Sequence, residues 1–298
     1  MSTATFRGTY TALVTPFNNQ GKFDRHQLEK QIEFQIAGGV QGIVPVGTTG
    51  ESPTLSHQEH GRVIQMAVKI AHGRVKVLAG SGSNSTEEAI QLTLMAERYG
   101  ADGSLQVSPY YNKPTQEGLF QHFDAIARST KLPIILYNIP GRCMVDITVP
   151  TVCRLRDKRT NIVGIKEASG SSDRVTELRL KLGEDFTILS GDDSLTLPFM
   201  SVGANGVISV VSNVLPALVN EMVLTIEQSV AVAQKIHAQL YPLTKSLFLE
   251  GNPVGVKCAM RLLKRDSGFV RSPLSRASKA TEDVIGQELM ALGKMFKL

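Results

Sequence analysis

The residues best placed to do chemistry lie in Asn161–Gly170, NIVGIKEASG, where the apolar run Ile162–Ile165 ends in Lys166. A lysine closing an apolar strand is expensive to bury in its charged form. Desolvation favours the neutral amine, and a neutral amine attacks a ketone carbon to give a Schiff base. The protonated imine is an electron sink. A neighbouring C–H can be lost, and the resulting enamine attacks an aldehyde. Strand side chains alternate faces with period two. If Lys166 points inward, Gly164 and Ile162 do too, Val163 and Ile165 point outward, and Gly164 leaves room for the lysine stem. The bland alternative is a lysine that leaves the strand for solvent, as most lysines do.

Groups that complement an amine follow other short apolar runs. These are Gly47-Thr48-Thr49-Gly50-Glu51, Ser108-Pro109-Tyr110-Tyr111-Asn112, Tyr137-Asn138-Ile139-Pro140-Gly141-Arg142, Gly191-Asp192-Asp193 and Gly206-Val207-Ile208-Ser209. The Tyr137 hydroxyl can donate and accept the protons of imine chemistry, and Thr48 and Tyr111 can relay them. Arg142 offers a fork for a carboxylate. The tight glycines of GTTG can present backbone N–H groups to another. Each has a structural reading too. Thr48 and Thr49 suit a turn, the Tyr110–Tyr111 pair suits packing or a subunit contact, and Arg142 suits a surface. Asp192 and Asp193 suit the cap of the next helix. His57 and His60 stand three apart in a helix's first turn, with no H-E-x-x-H or C-x-x-C pattern, so no metal site is expected.

The elements that must position these groups recur every 20–35 residues or so. Strands are expected at Thr9–Pro16, Gly42–Gly47, Lys76–Gly80, Gly103–Ser108, Pro133–Tyr137, Ile162–Lys166, Thr187–Gly191 and Gly206–Val210. They are rich in Val, Ile and Leu, as parallel strands covered on both faces should be. Helical patterns fill the gaps. Asp24 with Gln27, Ser56 with Glu59 and Ser85 with Glu88 have capping-box spacing, and Gly38–Gly39, Gly73 and Gly100 read as stops. Later helices are expected at Thr115–Ser129, Val149–Arg156, Ser172–Leu182, Ser194–Ser201 and Leu215–Thr225. Eight strand–helix units in a row predict an α/β fold, a (β/α)₈ TIM barrel, with active-site groups at the strands' carboxyl ends. A doubly wound sheet is disfavoured by the strand count and the lack of a Gly-rich dinucleotide loop. The barrel is expected over residues 1–227. Residues 228–298 are expected to form an appended helical region on its flank, with helices at Gln228–Phe248, Pro253–Lys264 and Ala277–Met295.

The 298 residues, 42% hydrophobic and 20% charged, suffice for a large core without a disulfide or metal staple. Three widely spaced cysteines, Cys143, Cys153 and Cys258, suggest reduced thiols in a cytoplasmic setting. MSTATFRGTY has no apolar signal core, and no run is long enough to span a membrane. The net charge of +5 permits acidic ligands. The densest basic run, Lys257, Arg261, Lys264, Arg265, Arg271, Arg276 and Lys279, reads as a solvated face, and no nucleic-acid motif accompanies it.

Taken together, GTTGES, VSPYYNKP, LYNIPGR, VGIKEAS, LSGDD and GVISV resemble the dihydrodipicolinate synthase family, from about residue 6 into the helical tail. The resemblance implies a pyruvate-dependent class I aldolase barrel, usually a homotetramer. It implies condensation of pyruvate with L-aspartate 4-semialdehyde in diaminopimelate and lysine biosynthesis, with no cofactor. It assigns Lys166 as the Schiff-base lysine and Tyr137 as general acid/base. Thr48 and Tyr111 become relay partners, with Tyr111 reaching a neighbouring subunit's site. Arg142 becomes the semialdehyde carboxylate contact, Thr49 the pyruvate carboxylate contact, and Gly191 and Ile208 backbone contacts. Feedback-inhibited members bind lysine at a subunit interface, and the matching positions are Ser52, His57, His60, Asn84, Glu88 and Tyr110. Pro53 stands there where a small residue is common. Rival readings are another pyruvate aldolase, such as N-acetylneuraminate lyase or a 2-keto-3-deoxy sugar-acid aldolase, and a non-catalytic keto-acid-binding barrel.

Overall fold

A computed structural model describes residues 6–295, so the first five residues of the stretch read for a signal sequence lie outside the described residues. In chain order the structure runs β1 (Gly8–Ala12), α1 (Arg25–Ala37), β2 (Gly42–Val44), α2 (His57–Ala71), β3 (Lys76–Gly80) and α3 (Thr86–Arg98). It continues through β4 (Gly103–Val107), α4 (Gln116–Ser129), β5 (Ile134–Asn138), the single turn α5 (Pro140–Cys143), α6 (Val149–Lys158), β6 (Ile162–Glu167) and α7 (Ser172–Leu182). The last units are β7 (Thr187–Ser190), α8 (Thr196–Ser201), β8 (Gly206–Ser209) and α9 (Pro216–Thr225), followed by α10 (Val230–Ser246), α11 (Val254–Leu262) and α12 (Lys279–Gly293). The eight strands pair in parallel in sequence order, and β1 closes on β8. This is the expected (β/α)₈ barrel with a carboxy-terminal helical extension. Among the described residues no helix is long and apolar enough to cross a membrane.

The strands are shorter than their apolar runs where the backbone must turn into the site. β2 stops at Val44, and Val46 already has a φ of +52°. A β-branched residue in that region is strained, and such strain gathers at functional loops. The caps were only partly legible. Ser56 and Glu59 form a complete capping box. Asp24 and Ser85 each accept from the expected backbone N–H, but Gln27 and Glu88 do not return the bond. The Gln27 amide donates to Arg265 O, and the Glu88 carboxylate turns to His57 and Ser83.

Strand β6 departs from strict alternation. Its register against β5 shifts between Ile134 and Ile135, which pair with Ile162 and Gly164 and skip Val163. A bulge of one residue inverts the side chains before it. Ile162 therefore packs in the outer layer with Ile134 and Val152, while Val163 joins the inner cluster with Ile135 and Leu189. The expectation of Ile162 inward and Val163 outward is reversed.

The inner cluster runs without a break from Tyr10, Leu105 and Val207 into Leu240, Leu243, Ile285 and Leu289 of the extension. The basic run of this region is a solvated face only in part: Lys264, Arg276 and Lys279 are exposed, and the others are not. Lys257 is fully buried and bonds Glu51 at 2.5 Å, Arg271 pairs with Glu59 and Arg261 pairs with Glu282. Buried charges need such partners, and for Lys257 and Arg271 they come from the loop after β2 and from α2.

Candidate active site

Lys166 is 7% exposed, at the carboxyl end of β6. Its Nζ lies 4.2 Å from the centroid of the Tyr137 ring on β5, the residue directly across the ladder. Burial pulls its pKa down to about 8, Asp193 raises it and Arg142 lowers it. The next residue, Glu167, faces the other way and is also buried. It accepts from Arg174 Nε at 2.7 Å, Ser169 N at 2.7 Å and the Asn138 amide. These bonds fix the strand end from behind. Charge-assisted bonds of this kind are shorter and stronger than neutral ones.

The room for the lysine stem comes from a different glycine than expected. A Cβ on Gly164 would meet Thr187 O and Ile135 Cδ1. A Cβ on Gly191 would lie 3.1 Å from Lys166 Cε and 2.7 Å from Ala168 Cβ. Gly191, just past β7, is the residue whose missing side chain clears space for Lys166.

Tyr137 is buried, and burial pushes its phenol well above the ordinary value, while Arg142 and a hydrogen bond with Thr48 oppose the rise. The structure thus brings Lys166, Tyr137 and Thr48 together. Tyr111 is 91% exposed, has a φ of +75° and is not among the residues lining the Lys166 cavity. Arg142, in α5, is exposed, lines the cavity and has no ion-pair partner among the described residues. Ile208 is fully buried in β8, and Val210 forms the cavity wall there.

In the loop after β2, Gly50 N donates to Gly47 O and Glu51 N to Thr48 O. Those N–H groups are used by the turn, so of the two GTTG glycines Gly50 is not the anion donor anticipated. Among the described residues the Thr48 and Thr49 N–H groups donate to no backbone carbonyl. The same holds for the Gly47 N–H, so Gly47, Thr48 and Thr49 carry the free donors of this loop.

A cavity of about 60 Å³ is lined by Lys166, Tyr137, Thr48, Thr49, Arg142 and Gly191, among others. A second, of about 220 Å³, shares Thr48, Tyr137 and Arg142 with it and continues to Ser52, Pro53 and Tyr110. Around that second space His57 Nε2 lies 2.6 Å from Glu88 Oε1, and the Ser83 hydroxyl also donates to Glu88. The Ser83 bond, and then His57, hold Glu88 below the ordinary carboxylate pKa. His60 is buried, burial lowers it to about 4, and its Nε2–H donates to Gly80 O at 2.9 Å. Its Nδ1 is left for the Ser52 hydroxyl at 3.4 Å. The Asn84 amide donates to Tyr110 O. The six positions form one connected patch, but His60 is committed to the protein.

Asp192 and Asp193 both suit a helix cap by position, but only one of them is one. Asp192 is the cap, accepting from Ser194 N at 2.8 Å. Asp193 is buried, takes bonds from the Ser209 hydroxyl and from Val210 N at 2.8 Å, and burial lifts its pKa to about 6. It is a buried acid whose charge acts on Lys166. No sequence signal separates it from its neighbour. Among the described residues no cluster of His, Cys, Asp or Glu could hold a metal ion, and all three cysteines are unpaired.

The model of the dihydrodipicolinate synthetase family matches residues 5–292. The chain belongs to this family. Its relatives within the family include the 4-hydroxy-tetrahydrodipicolinate synthase of Sulfurihydrogenibium sp., 50% identical over 286 residues, which cover 95% of this chain and 97% of that one. Among solved structures, the 4-hydroxy-tetrahydrodipicolinate synthase of Methylacidiphilum fumariolicum SolV superposes with a TM-score of 0.95 at 52% identity, covering 97% of each chain. The dihydrodipicolinate synthase family member of Cyanidioschyzon merolae, solved with lysine bound, gives 0.94 at 40% identity, covering 97% of this chain and 98% of that one.

Proposed function

We propose that the chain is a 4-hydroxy-tetrahydrodipicolinate synthase, a lyase that condenses pyruvate with L-aspartate 4-semialdehyde in diaminopimelate and lysine biosynthesis. The observation that carries the residue roles is the buried Lys166 amine, held near a pKa of 8 against the Tyr137 ring. The amine attacks C2 of pyruvate, and the carbonyl oxygen leaves as water. Tyr137, kept protonated by burial, hands on the protons of this step and exchanges them with Thr48. Loss of a proton from C3 gives the enamine, which forms a carbon–carbon bond to the aldehyde carbon. The amino group of the added fragment then attacks the imine carbon, closes the ring and frees Lys166. The Thr48 and Thr49 N–H groups suit the pyruvate carboxylate. Arg142, without an ion-pair partner among the described residues, suits the semialdehyde carboxylate. A polyol substrate would call for hydroxyl-binding groups in its place.

The same reading has the enzyme working as a cytoplasmic homotetramer, with Tyr111 completing the relay of a neighbouring subunit. The near-complete exposure of an aromatic side chain supports that role. A second reading is inhibition by L-lysine. The patch of Ser52, His57, His60, Asn84, Glu88 and Tyr110 adjoins the catalytic cavity, and Glu88 is ionised to meet an ammonium group. The primary test is product formation by the purified protein from pyruvate and aspartate semialdehyde, with borohydride trapping of pyruvate alone. A reduced adduct mapping to Lys166 is expected. An adduct on another lysine, or none, would remove the covalent mechanism.

A further inference from the structure

The carboxy-terminal region touches the catalytic loop at atoms that the reaction uses. Asn252, between α10 and α11, donates its amide Nδ2 to Thr49 Oγ1 at 2.8 Å, across 203 residues of sequence. Both residues line the cavity that contains Lys166 and Gly191. The Asn252 Oδ1 is buried without a partner. Two residues after Thr49, Glu51 is tied to the same region: Lys257 Nζ and Arg271 N donate to its two carboxylate oxygens, at 2.5 and 2.9 Å. The Lys257 ammonium is fixed in turn by Phe269 O.

A threonine hydroxyl has one proton and two lone pairs. In Thr49 the Asn252 amide occupies a lone pair, and the proton is given to no protein acceptor among the described residues. A carboxylate can only accept. We propose that Asn252 is a positioning residue for the keto acid: by donating to Thr49 Oγ1 it leaves the Thr49 proton directed at the substrate carboxylate, beside the free Thr48 and Thr49 N–H groups. The Lys257–Glu51–Arg271 tie holds the loop so that this bond keeps its length. The inference rests on the aldolase reading, and extends it to a residue that lies outside the barrel strands and their loops.

The test uses the full chain and steady-state kinetics with pyruvate varied, after the wild-type adduct at Lys166 has been verified. Absence of that adduct defeats the aldolase reading itself, before any variant is compared. Asn252→Asp keeps the size of the side chain, but an ionised acid draws the Thr49 proton to itself and repels the carboxylate. Its KM for pyruvate should rise at least tenfold or so, with kcat changed less. Asn252→Ala removes only the orienting donor and should raise KM several-fold. In a Thr49→Val background Asn252→Ala should have almost no further effect, because the hydroxyl it orients is gone. A merely structural Asn252 would weaken both backgrounds alike. Pyruvate KM values within twofold of wild type for Asn252→Ala, or undiminished effects in the Thr49→Val background, would overturn the proposal. The alanine variant and the double variant decide the matter even if Asn252→Asp does not fold.

Discussion

A lysine attacks a ketone only in its neutral form, so in the proposed role the pKa of Lys166 sets a pH dependence with a definite sign. Burial brings that pKa down to about 8. Below it the amine is mostly protonated, so the rate of pyruvate adduct formation should climb about tenfold per pH unit and level off above pH 8 or so. Asp193 works against this shift by favouring the charged amine. Asn in its place keeps an acceptor for Val210 N but removes the charge. The midpoint of the profile for Asp193→Asn should therefore move to lower pH, and a midpoint that stays or rises would remove Asp193 from the site's electrostatics. Arg142 is the group proposed to hold the other substrate. A charge-assisted bond contributes on the order of 1.5–3 kcal/mol. Arg142→Ala should lower kcat/KM for the semialdehyde roughly tenfold to a hundredfold or more, while borohydride trapping of pyruvate changes much less. Equal loss in both assays would make Arg142 a structural residue.

At the scale of elements, the start of α2 and the start of α3 meet through His57 and Glu88. Glu88 has the spacing of a capping residue, yet its carboxylate serves the neighbouring helix. The exposed pair contributes little to stability, about 0–1 kcal/mol. Turned away from its own cap, the Glu88 carboxylate lies in the patch proposed for L-lysine. Glu88→Ala should melt near the wild-type temperature and lose inhibition by L-lysine. Wild-type inhibition should be partial and should persist at saturating pyruvate. Rates unchanged by millimolar lysine, or inhibition that survives the substitution, would remove the patch from the account. Elements also explain what could be read in advance. Ser56 and Glu59 follow one another closely in sequence and form the box that their spacing predicts. The bulge in β6 depends on its register with β5 and carries no local mark.

On the scale of the whole molecule, the relay is completed only between chains if Tyr111 acts in a partner's site. Mixing separates the possibilities. Lys166→Ala chains and Tyr111→Phe chains are each expected to be weak. Reassembled together, they should regain activity, because one site in a mixed pair then holds an intact Lys166 and an intact Tyr111. No gain on mixing would confine Tyr111 to its own chain or to packing. The extension belongs to this scale as well. Its helices share the barrel's inner cluster, and its Lys257 and Asn252 reach the loop after β2.

The sequence alone determined the eight strand–helix units, the order of the motifs and the placement of Lys166 and Tyr137 at strand ends, with Thr48 in the loop that follows β2. These follow from apolar periodicity and caps, which act over a few residues and can be read locally. Tertiary structure decided which glycine makes room for the lysine, Gly191 and not Gly164. It also separated the buried Asp193 from the capping Asp192, although the two are adjacent and chemically identical. The basic run near the carboxyl end shows this most directly. Lys257 looked like one charge on a solvated face, and it is buried against Glu51, 206 residues away. Closure of the barrel and docking of the extension bring such partners together, and no pattern within either stretch records that they will meet.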